Sequence, residues 1–156
     1  QGKYPYFYGW NTYVSLLHRT AGLAAINRFI ALAPRVFSHR DAIDAARLME
    51  DDKCEDIVVL DLRGVSHVCD YFVIGTGTSD RQMRAVADHV QQLAKEKNDS
   101  AYGVGGYEEG VWIVVDFVDV VIHLFDEERR RFYDLESLWG DGPRVEWMRK
   151  SSKSQE

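Results

Sequence analysis

The stretch Tyr71-Phe72-Val73-Ile74-Gly75-Thr76-Gly77-Thr78-Ser79-Asp80-Arg81-Gln82-Met83 decides the architecture. Its first four residues are aromatic and β-branched, the composition of a β-strand. The Gly-Thr-Gly-Thr run breaks that strand. Ser79 then begins a helix, with Gln82 three residues on in the spacing of a capping box. From there Met83, Val86, Ala87, Val90, Leu93 and Ala94 recur at helical period to about Lys97. A strand that turns directly into the longest helix of the chain is the signature of a layered domain with both element types.

Working outward from it, Ile57-Val58-Val59-Leu60-Asp61-Leu62 reads as a buried strand with a turn at Gly64. Before it, Ser38 opens a helix. Asp41 stands in its first turn, and Ala42, Ile43, Ala45, Ala46 and Met49 form its apolar stripe up to Glu50-Asp51-Asp52. Downstream, Gly103, Gly105, Gly106 and Gly110 mark a Gly-rich loop. Residues 112–116 and 120–125 read as two strands joined by a short turn. Asp126 caps a last helix over roughly 127–139, expected to pack through Phe132, Leu135 and Leu138 and to stop at Gly140. The order α–β–β–α–β–β–α predicts a single α/β (α+β) domain, a mixed β-sheet covered by helices. A further strand arises if 102–107 pairs with an edge. The division is an N-terminal extension over 1–37, the domain over 38–142, and a C-terminal tail over 143–156 whose Ser/Lys-rich end is expected to fray.

At 156 residues the chain is one ordinary domain, and its 46 % hydrophobic content supplies a core without disulfide or metal staples. The most apolar long stretch, 13–33, carries His18, Arg19 and Arg28, which argues against a membrane span. Residues 1–40 hold five cations and no acid, while the remainder holds 14 basic and 25 acidic residues, a net charge of −11. That body is poorly suited to bare nucleic acid and suits neutral or basic partners. The acid-free N-terminus reads either as an extra helix or flexible extension, or as an organelle transit peptide. Cys54 and Cys69 form no Cys-x-x-Cys pair and suggest buried thiols in a reducing compartment, with the cytoplasm as the expected location.

Catalytic signals are weak. The Gly75–Ser79 turn precedes a helix N-terminus, where free N–H groups favour phosphate, but it lacks the Lys of a phosphate-binding loop. Asp116 and Asp119 invite a metal reading, yet residues i and i+3 of a strand face opposite ways, so turn roles are expected. No His or Cys spacing suits a metal, and no serine has a nucleophile-elbow context. No cofactor is expected, and ATP or GTP should bind no tighter than roughly millimolar. Arg129-Arg130-Arg131 is surrounded by acids, with Arg130 and Asp134 at the i,i+4 spacing of an ion pair. The aromatic residues Trp112, Phe125, Phe132, Tyr133, Trp139 and Trp147 are too many for a small core alone and point to a protein interface.

Several motifs agree in order. Asp70-Tyr71-Phe72-Val73-Ile74-Gly75-Thr76-Gly77-Thr78-Ser79 is followed by Ala87-Asp88-His89 and then by Trp112-Ile113-Val114-Val115-Asp116. After these come Asp119-Val120-Val121-Ile122-His123 and Arg130-Arg131-Phe132-Tyr133-Asp134-Leu135-Glu136-Ser137-Leu138-Trp139. Over roughly 39–142 the chain thereby resembles the ribosomal silencing factor family, also called Iojap. The resemblance implies a nucleotidyltransferase-like topology without transferase activity. It also implies binding to the large ribosomal subunit through its fourteenth ribosomal protein, a block on joining with the small subunit, and repression of translation. Organelle relatives imply a role in large-subunit assembly. Two departures stand out. Where the family pattern Trp-x-x-x-Asp-x-Gly-Asp-Val has Gly, this chain has Val118, which resists positive φ. In the Gly-rich loop, Gly103-Val104-Gly105-Gly106 lacks the customary acid.

The expected function is therefore a non-enzymatic repressor with no DNA or membrane partner; a homodimer is compatible with the sequence. The expected partner-binding residues are Trp112, His123, Arg130, Tyr133 and Trp139. The alternatives are a nucleotidyltransferase-like phosphate enzyme using Gly77, Ser79 and Asp116, or an organellar assembly factor.

Overall fold

The computed structural model describes residues 37–66, 69–140 and 142–151. The expectations placed on 1–36 lie outside these residues. The elements run α1 (His39–Asp51), β1 (Glu55–Asp61), β2 (Tyr71–Thr76), α2 (Asp80–Glu96), β3 (Gly103–Gly105), β4 (Trp112–Asp116), β5 (Val120–Phe125), α3 (Glu127–Tyr133) and α4 (Leu135–Leu138). The five strands form one mixed sheet in the order β1-β2-β5-β4-β3. Only β2 and β5 are parallel; the other neighbours are antiparallel. The short strand β3 is the edge strand that the 102–107 segment supplies when it pairs.

Strand alternation divides the core in two. One face carries Val59, Val73, Ile113, Val115, Ile122 and Leu124 under α1 and α2. Those helices interleave small residues, Ala42, Ala45 and Ala46 from α1 and Ala87 and Ala94 from α2, with Met49, Met83, Val86 and Val90. The opposite face carries Val58, Leu60, Phe72, Ile74, Trp112, Val114, Val121 and Phe125, with Leu135 of α4 packed on it.

Both helices start where the sequence places them, with caps that match the expected chemistry only in part. The Ser38 backbone N–H donates to Asp41 Oδ2 at 2.6 Å. Ser79 Oγ accepts from the Gln82 backbone N–H at 3.1 Å, while Gln82 Oε1 takes the Thr78 N–H rather than the cap's own. At the far end of α2, the Lys97 ammonium bridges Asp41 and Asp44 of α1 and ties the two helices together. Burial works against ionisation of Asp41, yet hydrogen bonds from Lys97 and Ser38 outweigh it and hold its carboxyl below the usual range.

Two expectations need correction. The last helix is not continuous over 127–139. Asp134 adopts left-handed φ of 42°, so the chain turns between α3 and α4. The 3.6-residue period is thereby broken. Leu135 is buried, but Phe132 and Leu138 are 59 % and 66 % exposed instead of packed. The tail is docked over its described part, and the Ser/Lys-rich end expected to fray lies mostly outside the described residues. The Asp61 and Val145 amides donate to Pro143 O and Val59 O at 2.8 Å, so the tail runs along the free edge of β1. The Trp147 indole N–H donates to Ile57 O at 3.2 Å, and Arg149 pairs with Glu50 and Asp51 of α1. The second correction is at the N-terminal boundary. Phe37 belongs to the packed domain and stacks on Phe117 with ring centroids 4.2 Å apart.

Val118 does enter the strained region, at φ 72°. The Asp119 N–H donates to Phe117 O across it, a γ-turn, and the Val118 N–H donates to Asp116 Oδ1 at 2.7 Å. Asp116 is thus a turn residue, as expected. A β-branched residue in this conformation costs on the order of 1–3 kcal/mol, part of which glycine would recover. Val118→Gly is expected to raise stability by about 1 kcal/mol in urea unfolding. An unchanged or lower midpoint would show that the turn holds no such strain.

Candidate functional site

Two regions bear on function: a cleft at one end of the sheet and the corner formed by α3 and α4. Because β2 and β5 are parallel, Thr76 and Phe125 finish at the same sheet end. The turns into α2 and α3 start there and enclose a cleft of about 420 Å³ lined by Thr76, Gly77, Ser79, Asp80, Asp126 and Glu127, among others. Its lining brings four carboxylates, Glu55, Asp80, Asp126 and Glu127, and no Lys or Arg. That repels phosphate.

Its polar groups are also committed elsewhere. The Gly77 N–H donates to Phe125 O at 2.7 Å. Ser79 Oγ caps α2, Asp80 pairs with Arg84, and Asp126 accepts from the Arg129 backbone and guanidinium. A Cβ at Gly77 would collide with Met83, so this glycine serves close packing rather than a ligand cradle. Asp116 pairs with Val121 at the opposite end of β5. Four residues along a strand is about 13 Å, so Gly77 and Ser79 do not converge with Asp116. Among the described residues no cluster of three or more His, Cys, Asp or Glu side chains is placed to hold a metal. Cys54 is buried, which pushes its thiol up to about 11 and keeps it protonated at neutral pH.

The five residues expected to bind a partner fall into three groups. Trp112 and His123 are core residues, 2 % and 1 % exposed, and cannot themselves touch a partner. Their expected role as surface anchors is corrected: the period-2 alternation turns both onto the buried second face, beside Phe72 and Phe125. The Trp112 indole N–H donates to His123 Nδ1 at 3.2 Å. An accepting Nδ1 requires the neutral imidazole. Burial, reinforced by the Arg130 charge, pushes the His123 pKa down to about 3.

This has a pH consequence. Above pH 6.5 the imidazole is neutral in both folded and unfolded chains. Below it, the unfolded chain takes up a proton that the folded chain refuses, so stability falls as pH falls. The slope from this one group is about 1.4 kcal/mol per pH unit between roughly pH 6 and 4. Urea unfolding across that range should show it, and His123→Gln should flatten it. An equal slope in the variant would assign the acid sensitivity to other groups.

Arg130 is turned inward, with its side chain 11 % exposed. Its Nε–H donates to Glu136 Oε1 at 2.7 Å, and its terminal nitrogens donate to Thr76 Oγ1 at 3.1 Å and to Asp56 O at 2.8 Å. The expected pair with Asp134 is replaced by this one with Glu136. Asp56 sits at φ 46° in a bulge of β1, where the register slips between Glu55 and Val58. Arg130 therefore pins the bulge carbonyl, the end of β2 and α4 together. The other two arginines are neutralised by Asp126 and Glu128 for Arg129, and by Glu127 for Arg131.

Tyr133 and Trp139 are half-buried at the rim. Tyr133 packs against Trp112 at 4.4 Å with the rings tilted by 37°, and Trp139 meets Phe72 edge-on at 5.8 Å. The corner's most exposed apolar side chains, Phe132 and Leu138, are ones that the helical period assigns to packing. Sequence offers no clear signal for them: the Asp134 side chain does not cap α4, and accepts instead from Ser137 Oγ.

The family model described as "Ribosomal silencing factor during starvation" matches residues 37–156. The ribosomal silencing factor RsfS of Bacillus subtilis is 42 % identical over 99 residues, covering 64 % of this chain and 84 % of that protein. The mouse protein named "Mitochondrial assembly of ribosomal large subunit protein 1" is 35 % identical over 95 residues, 59 % of this chain and 42 % of that protein. A crystal structure of a Chromobacterium violaceum protein superposes with a TM-score of 0.62 at 33 % identity, covering 74 % of this chain and 97 % of that one.

Proposed function

The chain belongs to the ribosomal silencing factor family, and on that premise we propose that it binds the large ribosomal subunit, blocks joining with the small subunit and so represses translation. Its contact on the large subunit is the fourteenth ribosomal protein. The observation that carries this reading is the corner at Asp134, where Phe132 and Leu138 stand exposed beside half-buried Tyr133 and Trp139. Apolar and aromatic side chains on a rigid sheet-backed corner are the usual anchors of a protein interface. The net charge of −11 beyond residue 40 favours a basic protein as the partner and disfavours ribosomal RNA. The protein acts in this reading as a binding module, in the cytoplasm of a bacterial-type cell.

A second reading, assembly of the large subunit in an organelle, draws on the mouse relative's name and on the five cations without an acid in residues 1–40. Both readings share the same partner. A light-scattering assay of joining between purified large and small subunits separates them. Silencing predicts that stoichiometric protein suppresses the joined particle. Full joining in the presence of saturating protein would remove the silencing reading and leave the assembly one.

A further inference from the structure

We propose that Glu136 is a positioning residue for the α3–α4 corner: by holding Arg130 across the turn at Asp134, it sets the direction in which Phe132 and Leu138 leave the surface. The proposal rests on the docking role given to this corner above. The chain turns at a residue in left-handed conformation, φ 42°, and α4 is a single turn of four residues. A helix of that length has no stability of its own, so its orientation must come from tertiary contacts. Leu135, buried on the second sheet face, supplies one, and Trp139 at the C-cap, edge-on to Phe72 at 5.8 Å, supplies another. These two, four residues apart, seat one face of α4 but leave it free to rock about the line that joins them.

The ion pair closes that freedom. Arg130 is anchored on the sheet at two points, Thr76 Oγ1 of β2 and Asp56 O in the β1 bulge. Its third donor, Nε, reaches Glu136 at 2.7 Å, with 11 % and 24 % of the two side chains exposed. A planar guanidinium held at two points presents its remaining N–H in a fixed direction. The second carboxylate oxygen of Glu136 lies 4.0 Å from Arg144 of the tail, which places a second cation on the same group. The docked tail thus reaches the corner from the β1 side.

Three variants test this: Glu136→Ala, Glu136→Asp, which withdraws the carboxylate by one methylene, and Glu136→Gln, which keeps an acceptor oxygen at the same reach. Two measurements are made on each: large-subunit affinity by cosedimentation, and hydrogen exchange of the amides at 137–139, which are bonded to Asp134 O and Leu135 O. Glu136→Ala and Glu136→Asp are expected to speed that exchange about tenfold and to weaken subunit binding about tenfold. Glu136→Gln should stay within about threefold of wild type in both. Wild-type exchange in Glu136→Ala or Glu136→Asp overturns the proposal, and so does faster exchange with unchanged affinity. Should Glu136→Ala not fold, Glu136→Asp is read by the same two criteria. Phe132→Ala/Leu138→Ala is measured beside them. If it binds like wild type, the docking role of the corner falls, whereas a failure confined to the Glu136 variants removes only the positioning role.

Discussion

Trp112→Ala is expected to destabilise the domain by about 3–5 kcal/mol, the largest effect of any single side chain on the second sheet face. The indole is 2 % exposed and packs against Phe125 at 4.6 Å and Tyr133 at 4.4 Å. Truncation leaves a void between the sheet and α3. It also strips the donor from His123 Nδ1, a buried acceptor, which adds to the void's cost. Trp112→Phe separates the two contributions, since it fills most of the void but restores no donor. Urea unfolding should place Phe between wild type and Ala. A loss below about 1 kcal/mol in the Ala variant would mean that the aromatic stack is not the centre of this face.

Phe132→Ala/Leu138→Ala is expected to weaken large-subunit binding at least roughly tenfold, about 1.4 kcal/mol, with an unchanged melting temperature. These two side chains are the cleanest probes because they are exposed and make little of the core. Tyr133 and Arg130 are poorer ones. Tyr133 supports Trp112, and Arg130 pins β1, β2 and α4, so truncating either changes the fold together with the surface. Arg130→Ala is expected to lower stability by about 2–3 kcal/mol, since it leaves Glu136 only the distant Arg144 and the bulge carbonyl without its Arg130 donor. Any loss of binding in that variant would then be indirect.

Much of the fold is legible in the sequence because local chemistry and tertiary packing agree. Ser38 with Asp41, and Ser79 with Gln82, announce helix starts that the backbone then takes. The runs at 57–62, 71–74, 112–116 and 120–125 are long enough and β-branched enough to be strands in any context. What sequence does not supply is direction. Both sheet faces are apolar, so alternation does not say whether Trp112 and His123 point to a partner or to a core. The same limit applies to α3 and α4. A 3.6-residue period extends smoothly over 127–139, and nothing in it shows that Asp134 takes a left-handed conformation and turns Phe132 and Leu138 outward. The tail escapes a sequence reading for a related reason. Ser and Lys content beyond residue 150 suggests fraying, while Val145 and Trp147 find an open edge at β1 that exists only once the sheet has formed. Val118 is legible in the opposite sense: its departure from the family pattern predicts a turn that is either different or strained, and the φ of 72° selects the second.

Cosedimentation of the intact protein with separated ribosomal subunits through a sucrose gradient tests the central claim most directly. The account predicts that the protein migrates with the large subunit, stays at the top of the gradient when only the small subunit is present, and is released from the large-subunit fraction by the Phe132→Ala/Leu138→Ala pair. Migration with the small subunit, or with neither, would contradict it.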